Sequence, residues 1–294
     1  MKIKHWIKAF RLRTLFLSLS CIWAGLLCAQ ISHGVEVPIA LFTFLTALFL
    51  QILSNLANDY GDSIHGADHA GRKGPSRAVQ SGAISKEAMK KALYVSGALS
   101  FISGCLLLYF SHPIIGTQAV LILLATGILS IIAAIAYTNG KRPYGYMGLG
   151  DISVFIFFGF VAVMGSAYLH TASVGSDSIL LSIAFGCLSV GVLNLNNMRD
   201  IESDVTANKM SIPVRIGLPA AKVYHTTLLL IAGVCLLLFG LNQGSSQLLL
   251  ISISALICLN IFLAAKAQDY SSFDPLLKWL SLSTFVITLL MQTL

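Results

Sequence analysis

Nine apolar stretches, each near the length needed to cross a bilayer, constrain this 294-residue chain more than any other feature. They lie near residues 14–32, 37–57, 92–111, 117–137, 147–169, 178–198, 223–241, 246–265 and 275–294. Backbone N–H and C=O groups surrounded by hydrocarbon must be paired internally, which leaves only helices and closed barrels. A helical crossing takes about 20 apolar residues, whereas a barrel strand takes about ten. The expected fold class is therefore all-α, a polytopic membrane protein of nine transmembrane helices. Only 11% of residues are charged, against about 25% in soluble domains. Gly, Ser and Ala inside the runs suit close helix packing in a membrane.

Positive charge orients the helices. In a nine-span arrangement all 19 Lys and Arg fall on one side. They occupy the N-terminal segment (Lys2 to Arg13), the segment from Arg72 to Lys91, Lys141 and Arg142, the segment from Arg199 to Lys222, and the last turn (Lys266, Lys278). The opposite loops, near 33–37, 112–116, 170–177 and 242–245, carry none. Under the positive-inside rule the N-terminus is cytoplasmic and the C-terminus lies outside. The net charge of +7 follows from this asymmetry and from attraction to anionic lipid; no nucleic-acid partner is expected. Residues 1–13 place Ile3, Trp6, Ile7 and Phe10 on one helical face, an interfacial anchor or a lid. The first run is long and has no small-residue cleavage site, unlike a signal peptide. Cys21, Cys28, Cys105, Cys187, Cys235 and Cys258 all lie in apolar runs and are expected to be free.

Two acidic segments stand out against this background. One is Asn55-Leu-Ala-Asn58-Asp59-Tyr-Gly-Asp62, continuing to Asp68; the other is Asn194-Leu-Asn-Asn197-Met-Arg199-Asp200, continuing to Asp204. With Glu202 they hold six of the 12 acidic residues, each at the inner end of an apolar run. Ionisable groups beside hydrocarbon are expensive and mark function. The shared Asn-Leu-x-Asn string and matching topology point to two four-helix repeats, spans 1–4 and 5–8, plus a ninth helix. The chain reads as one domain, 1–294, with cytoplasmic Asp-rich loops at 59–91 and 199–222.

If the helices run on past the membrane surface, Asp59 and Asp62 share a face, as do Asp200 and Asp204. Asn55 and Asn58 lie one turn behind the first pair, and Asn197 stands in the same relation to Asp200. Hard oxygen donors without a His/Cys cluster favour magnesium, which bridges few carboxylates to substrate phosphates. Basic residues follow: Arg72, Lys73 and Arg77; Arg199 and Lys209; and Tyr137-x-x-x-Lys141-Arg142. Carboxylate, metal, diphosphate and Arg/Lys form one arrangement that uses all these groups. A lipid diphosphate explains why such a site adjoins a bilayer. Loss of diphosphate would leave an allylic cation needing a dry, aromatic pocket, to which Tyr60, Tyr137, Tyr144, Tyr146, Phe155, Phe157 and Phe158 are candidates. Single Asp residues also serve as caps or Arg partners: Asp151 reads as cap or site, Asp269 and Asp274 as caps, and His65 and His69 as solvated.

The motifs Asn58-Asp59-x-x-Asp62, Asp200-x-x-x-Asp204 with Lys209, and Tyr137-x-x-x-Lys141 resemble those of the UbiA superfamily of intramembrane prenyltransferases. The resemblance spans the whole chain. One departure is that Gly66 stands where the commoner pattern has its last Asp, and Asp68 follows two residues later. The strings around Asn55–Asp62, Gly74–Gly82 and Asn196–Asp204 look like the branch that prenylates 1,4-dihydroxy-2-naphthoate in menaquinone synthesis. The resemblance implies Mg2+ held by Asp59, Asp62, Asp68, Asp200 and Asp204, supported by Asn58 and Asn197. It implies a polyprenyl diphosphate gripped by Arg72, Lys73, Arg77, Tyr137, Lys141, Arg199 and Lys209, with Asp59, Asp62, Asp200, Asp204 and Lys141 catalytic. It also implies a cytoplasm-facing site in a bacterial inner membrane. Within the superfamily, 4-hydroxybenzoate, haem, homogentisate and glyceryl-phosphate acceptors are alternatives. A transporter is the reading from another class, but its ionisable groups usually lie near the bilayer midplane.

Overall fold

The computed structural model describes residues 3–65 and 77–293, which form helices and turns with no strand among them. A short helix, α1 (Ile3–Phe10), leads into α2 (Leu12–Ser32) and α3 (Val37–His65). Then come α4 (Lys86–Ala136), α5 (Gly150–Thr171), α6 (Ser176–Arg199) and the short α7 (Ile201–Thr206). The chain ends with α8 (Ile212–Asn242), α9 (Gln247–Lys266) and α10 (Phe273–Met291).

Eight of the helices are long and apolar enough to cross a membrane. The longest, α4, has 51 residues and is interrupted at Gly116 (φ 74, ψ 168), three residues after Pro113. Proline removes a backbone donor and clashes with the preceding turn, and glycine alone accepts this φ at no steric cost. The break falls in the stretch expected to separate two spans. Polar residues within the spans are largely satisfied inside their own helices. Thr43 donates to Ile39 O at 2.7 Å, Ser111 to Leu107 O at 2.9 Å and Thr284 to Leu280 O at 2.9 Å. Such bonds let Ser and Thr sit in hydrocarbon without an orphaned hydroxyl.

Helix α6 is the most deeply buried span and α4 the most exposed. The main core gathers side chains of α2, α5, α6, α8, α9 and α10, among them Leu17, Phe185, Leu188, Leu229 and Ile287. Residues 155–164 of α5 are wound as a π-helix and approach α2 closely. A Cβ on Gly25 would lie 2.2 Å from Val163 O, so only glycine permits this contact. The last span returns to the first: Phe285 meets Phe16 at 5.3 Å and Trp23 at 6.2 Å between ring centroids. All six cysteines are free.

The segments expected as cytoplasmic loops are partly helical. Helix α3 continues past residue 57 to His65, so Asp59 and Asp62 are helical. Helix α6 stops at Arg199; Asp200 (φ −96, ψ 9) joins it to α7, and Asp204 lies on the new helix. Asp200 and Asp204 thus do not extend one continuous helix, although Asp204 N still donates to Asp200 O at 2.8 Å.

Candidate active site

A cavity of about 370 Å3 runs down the inside of the bundle. On α3 its lining extends from Thr43 to Asp62, about 28 Å along the helix at 1.5 Å per residue. Most of the wall is apolar or hydroxylic, with Ile22, Leu50, Leu107, Leu124 and Val161 among its residues. The polar end carries Arg11, Asn58, Asp62, Arg77, Asn197 and Lys209. Tyr137, Tyr144, Phe157 and Phe158 supply aromatic faces, whereas Tyr60, Tyr146 and Phe155 lie outside the lining.

The two acidic segments meet at this end, and the turn after α4 joins them. Tyr146, in the 3-10 turn Tyr144–Met147, donates its hydroxyl to Asp62 Oδ1 at 2.7 Å. Its carbonyl accepts from Met210 N at 2.9 Å. Asp62 also pairs with Arg77, whose guanidinium donates to Asn58 O at 2.8 Å. Lys209, on the cavity wall, meets Asp204 Oδ1 at 3.2 Å, and Ser211 Oγ donates to Asp204 Oδ2 at 3.2 Å; neither Asp204 nor Ser211 lines the cavity. Burial pulls the Lys209 ammonium down, but Asp204 and Asp62 outweigh it, so Lys209 stays protonated well beyond neutral pH. Burial, reinforced by the charge of Asp62, pushes the Tyr146 hydroxyl up and keeps it a hydrogen-bond donor. Tyr137 is likewise held protonated, by burial first.

The expected site residues divide into two groups. Asn58, Asp62, Arg77, Tyr137, Asn197 and Lys209 line the cavity. The others turn elsewhere. Asp59 accepts from Ala78 N at 3.0 Å and Val79 N at 3.1 Å, holding the turn that presents Arg77. Arg199, only 2% exposed, pairs with Asp200 at 2.7 Å and with Asp274 at 2.6 Å. Asp274 is thus an ion-pair partner, beyond the capping role expected of it. Asp151 accepts from Tyr224 at 3.0 Å behind the wall. Lys141 is exposed and does not line the cavity. Asn55 also lines the cavity, but its amide turns toward the α1–α2 corner, donating to Phe10 O and Thr14 Oγ1, both at 2.9 Å. Asp68, His69, Arg72 and Lys73 lie outside the described residues. Arg11 and the bridging role of Tyr146 were not expected from the sequence, because their neighbours lie 40 to 84 residues away.

Among the described residues, no three His, Cys, Asp or Glu side chains form a group able to hold a metal alone. The donor chemistry nevertheless fits magnesium bridged to phosphate. Asp62 lines the cavity, Asp204 lies just behind Lys209 and close enough to Asp62 for their charges to interact, and Asn197 Oδ1 is buried without a hydrogen-bond partner on the cavity wall. Such an orphaned oxygen is costly unless a ligand or ion meets it, and Mg2+ commonly takes one or two carboxylates plus substrate phosphates.

Gly61 keeps α3 against the segment after α4. A Cβ there would lie 2.5 Å from Thr138 O, and Thr138 donates to Ala57 O at 2.9 Å. Gly61→Val is expected to destabilise the protein by roughly 1–3 kcal/mol through overpacking. A lowered melting temperature of the purified protein would display this; an unchanged one would refute it.

A membrane bundle whose hydrocarbon-lined cavity ends at paired carboxylates and cations belongs to the lipid-processing transferases in form, and the sequence comparisons agree. A model of the UbiA prenyltransferase family matches residues 18–290, and the chain belongs to that family. It is 39% identical over 293 residues to the 1,4-dihydroxy-2-naphthoate octaprenyltransferase of Haemophilus influenzae, covering 98% of this chain and 94% of that protein. The Escherichia coli protein of the same name is 46% identical over 241 residues, covering 82% of this chain and 77% of its own. A UbiA homolog from Archaeoglobus fulgidus, solved with GPP and Mg2+, shares the fold with a TM-score of 0.64. That match has 15% identity and covers 99% of this chain and 100% of the other.

Proposed function

We propose that this chain transfers a polyprenyl group from polyprenyl diphosphate to 1,4-dihydroxy-2-naphthoate, releasing CO2 and diphosphate, in menaquinone synthesis. The observation that carries this reading is the near full-length match to a protein named for that acceptor. The cavity supports it, because a long apolar channel ending in cations and carboxylates suits a lipid chain with a diphosphate head.

In this reading the prenyl chain lies along α2, α3 and α4, and the diphosphate sits between Asp62 and Asp204. Arg77 and Lys209 neutralise its oxygens, and Asn58, Asn197, Asp62 and Asp204 provide oxygen ligands for Mg2+. The metal, when bound, supplies positive charge to the departing diphosphate. Asp59 positions Arg77, and Asp200 with Asp274 fixes Arg199, so these groups act behind the wall. Asp68, Arg72, Lys73 and Lys141 remain candidates to reach the diphosphate from the cytoplasmic side. The allylic C–O bond breaks, with its electron pair leaving on the diphosphate. The faces of Tyr137, Tyr144, Phe157 and Phe158 shield the positive carbon from water. The ring carbon bearing the carboxylate forms the new C–C bond. Loss of CO2 then returns the other C–C electron pair to the ring, so the transfer needs no separate general base.

The two arms of α4 read as separate crossings, giving nine spans with the N-terminus and the polar end of the cavity in the cytoplasm of a bacterial inner membrane. Purified protein with Mg2+, an all-trans polyprenyl diphosphate and 1,4-dihydroxy-2-naphthoate is expected to yield the prenylated, decarboxylated naphthoquinol by mass, seen as the quinone where air oxidises it. Prenylation of 4-hydroxybenzoate or homogentisate in its place would overturn the acceptor and leave the fold and donor site standing.

A further inference from the structure

Helix α1 packs on the segment that presents Arg77. Ala9 and Trp6 of α1 share a small core with Ala78 and Ile84 of the turn after Arg77, and with Met89 and Leu93 of α4. His5 Nδ1 donates to Ala83 O in the same turn at 3.4 Å. The amides of Ala78 and Val79 donate to Asp59, and Arg77 pairs with Asp62 at the cavity. One face of α1 therefore bears on the turn that carries a cavity cation.

The other face is uncovered. Ile3 is 76% exposed and Ile7, one turn on, 45% exposed; Lys4 is exposed beside them. Leu12 and Phe16, at the start of the span that follows, are exposed as well. Across the shared core, the first two turns of α4 present Lys86, Lys90 and Lys91, all exposed, with Glu87 the one acid among them. Tyr94 and Val95 follow at once and are also exposed. Apolar side chains bordered by lysines, leading into membrane spans through a tyrosine, make up a surface suited to the headgroup layer of a bilayer. The excess of lysine selects anionic lipid.

We propose that α1 and the start of α4 bind an anionic lipid surface, and that this contact, passed through the turn from Ala78 to Ile84, holds Arg77 at the cavity. Turnover then depends on anionic lipid. That last effect rests on the prenyl-transfer reading given above; the lipid contact and the ordering of the turn do not.

The test places the full-length protein in nanodiscs of phosphatidylcholine alone or of an equal mixture with phosphatidylglycerol, and follows amide hydrogen exchange at Ala78 and Val79. Anionic lipid should slow exchange about 10-fold in the wild type, through the attraction of several lysines to the charged surface, and high salt should weaken the effect. The triple variant Lys86→Gln, Lys90→Gln, Lys91→Gln should exchange alike in both lipids, as should the double variant Ile3→Ser, Ile7→Ser. All three proteins should melt together in phosphatidylcholine, because the substituted side chains are exposed. Equal exchange of the wild type in both lipids, or variants that respond as the wild type does, would overturn the proposal. Turnover should rise with anionic lipid in the wild type and not in the lysine variant. An equal rise in both would assign the effect to substrate delivery and overturn the link to Arg77. Lipid-dependent exchange in a protein that transfers no prenyl group would uphold the lipid contact and remove the prenyl-transfer reading.

Discussion

Asp62→Ala is expected to lower prenyl transfer by about 10²–10³-fold or more, the scale seen when one preorganised electrostatic group is removed from an active site. The protein should still insert and purify, because its helices are held chiefly by the core around α6 rather than by this carboxylate. Asp62 is the acidic side chain on which the site converges. It accepts the hydroxyl of Tyr146 and the guanidinium of Arg77, and it lines the cavity. Asp59→Ala provides the contrast. It removes the acceptor of two backbone amides and acts by loosening the turn that carries Arg77, so lowering temperature should recover part of its activity. Steady-state turnover of both variants at two temperatures tests the distinction. Near-normal activity in Asp62→Ala would dismantle the site as described.

Chelation by EDTA is expected to lower turnover at least ~10²-fold, and excess magnesium to restore it, since a bound cation supplies several kcal/mol of charge stabilisation to such a leaving group. The described residues offer no self-sufficient metal cage, so Mg2+ should bind tightly only with diphosphate present. Isothermal titration with and without inorganic diphosphate separates the cases. Tight binding of Mg2+ alone, or full turnover in EDTA, would each contradict the shared metal–phosphate site.

The membrane character and the helical class were legible from spacing alone. Asp59 and Asp62 could be placed at the inner end of an apolar run because charge is costly anywhere deeper. The interruption of α4 at Gly116 falls in the stretch near 112–116 where two apolar runs were expected to part. The capping expectation for Asp274 did not foresee Arg199, because that pair joins residues 75 apart in sequence. For Asn55, helical periodicity gave its relation to Asp59 but not the direction its amide faces. That direction follows from Phe10 O and Thr14, which reach it only through the α1–α2 corner.

The amino-acid sequence by itself determined a bundle of membrane helices whose Lys and Arg cluster in alternate connecting segments. Hydrocarbon leaves the backbone a single helical solution for runs of this length, and the cost of burying charge sorts the remainder. Only the tertiary structure decided which of the polar groups face the cavity. Asp62, Arg77 and Lys209 reach it, with the neutral amide of Asn197, while Asp59, Arg199 and Asp200 are held behind it. The physical reason is the short range of hydrogen bonds and ion pairs. Each charged group commits to whatever partner packing brings within about 3 Å, and packing joins segments that the linear order keeps far apart.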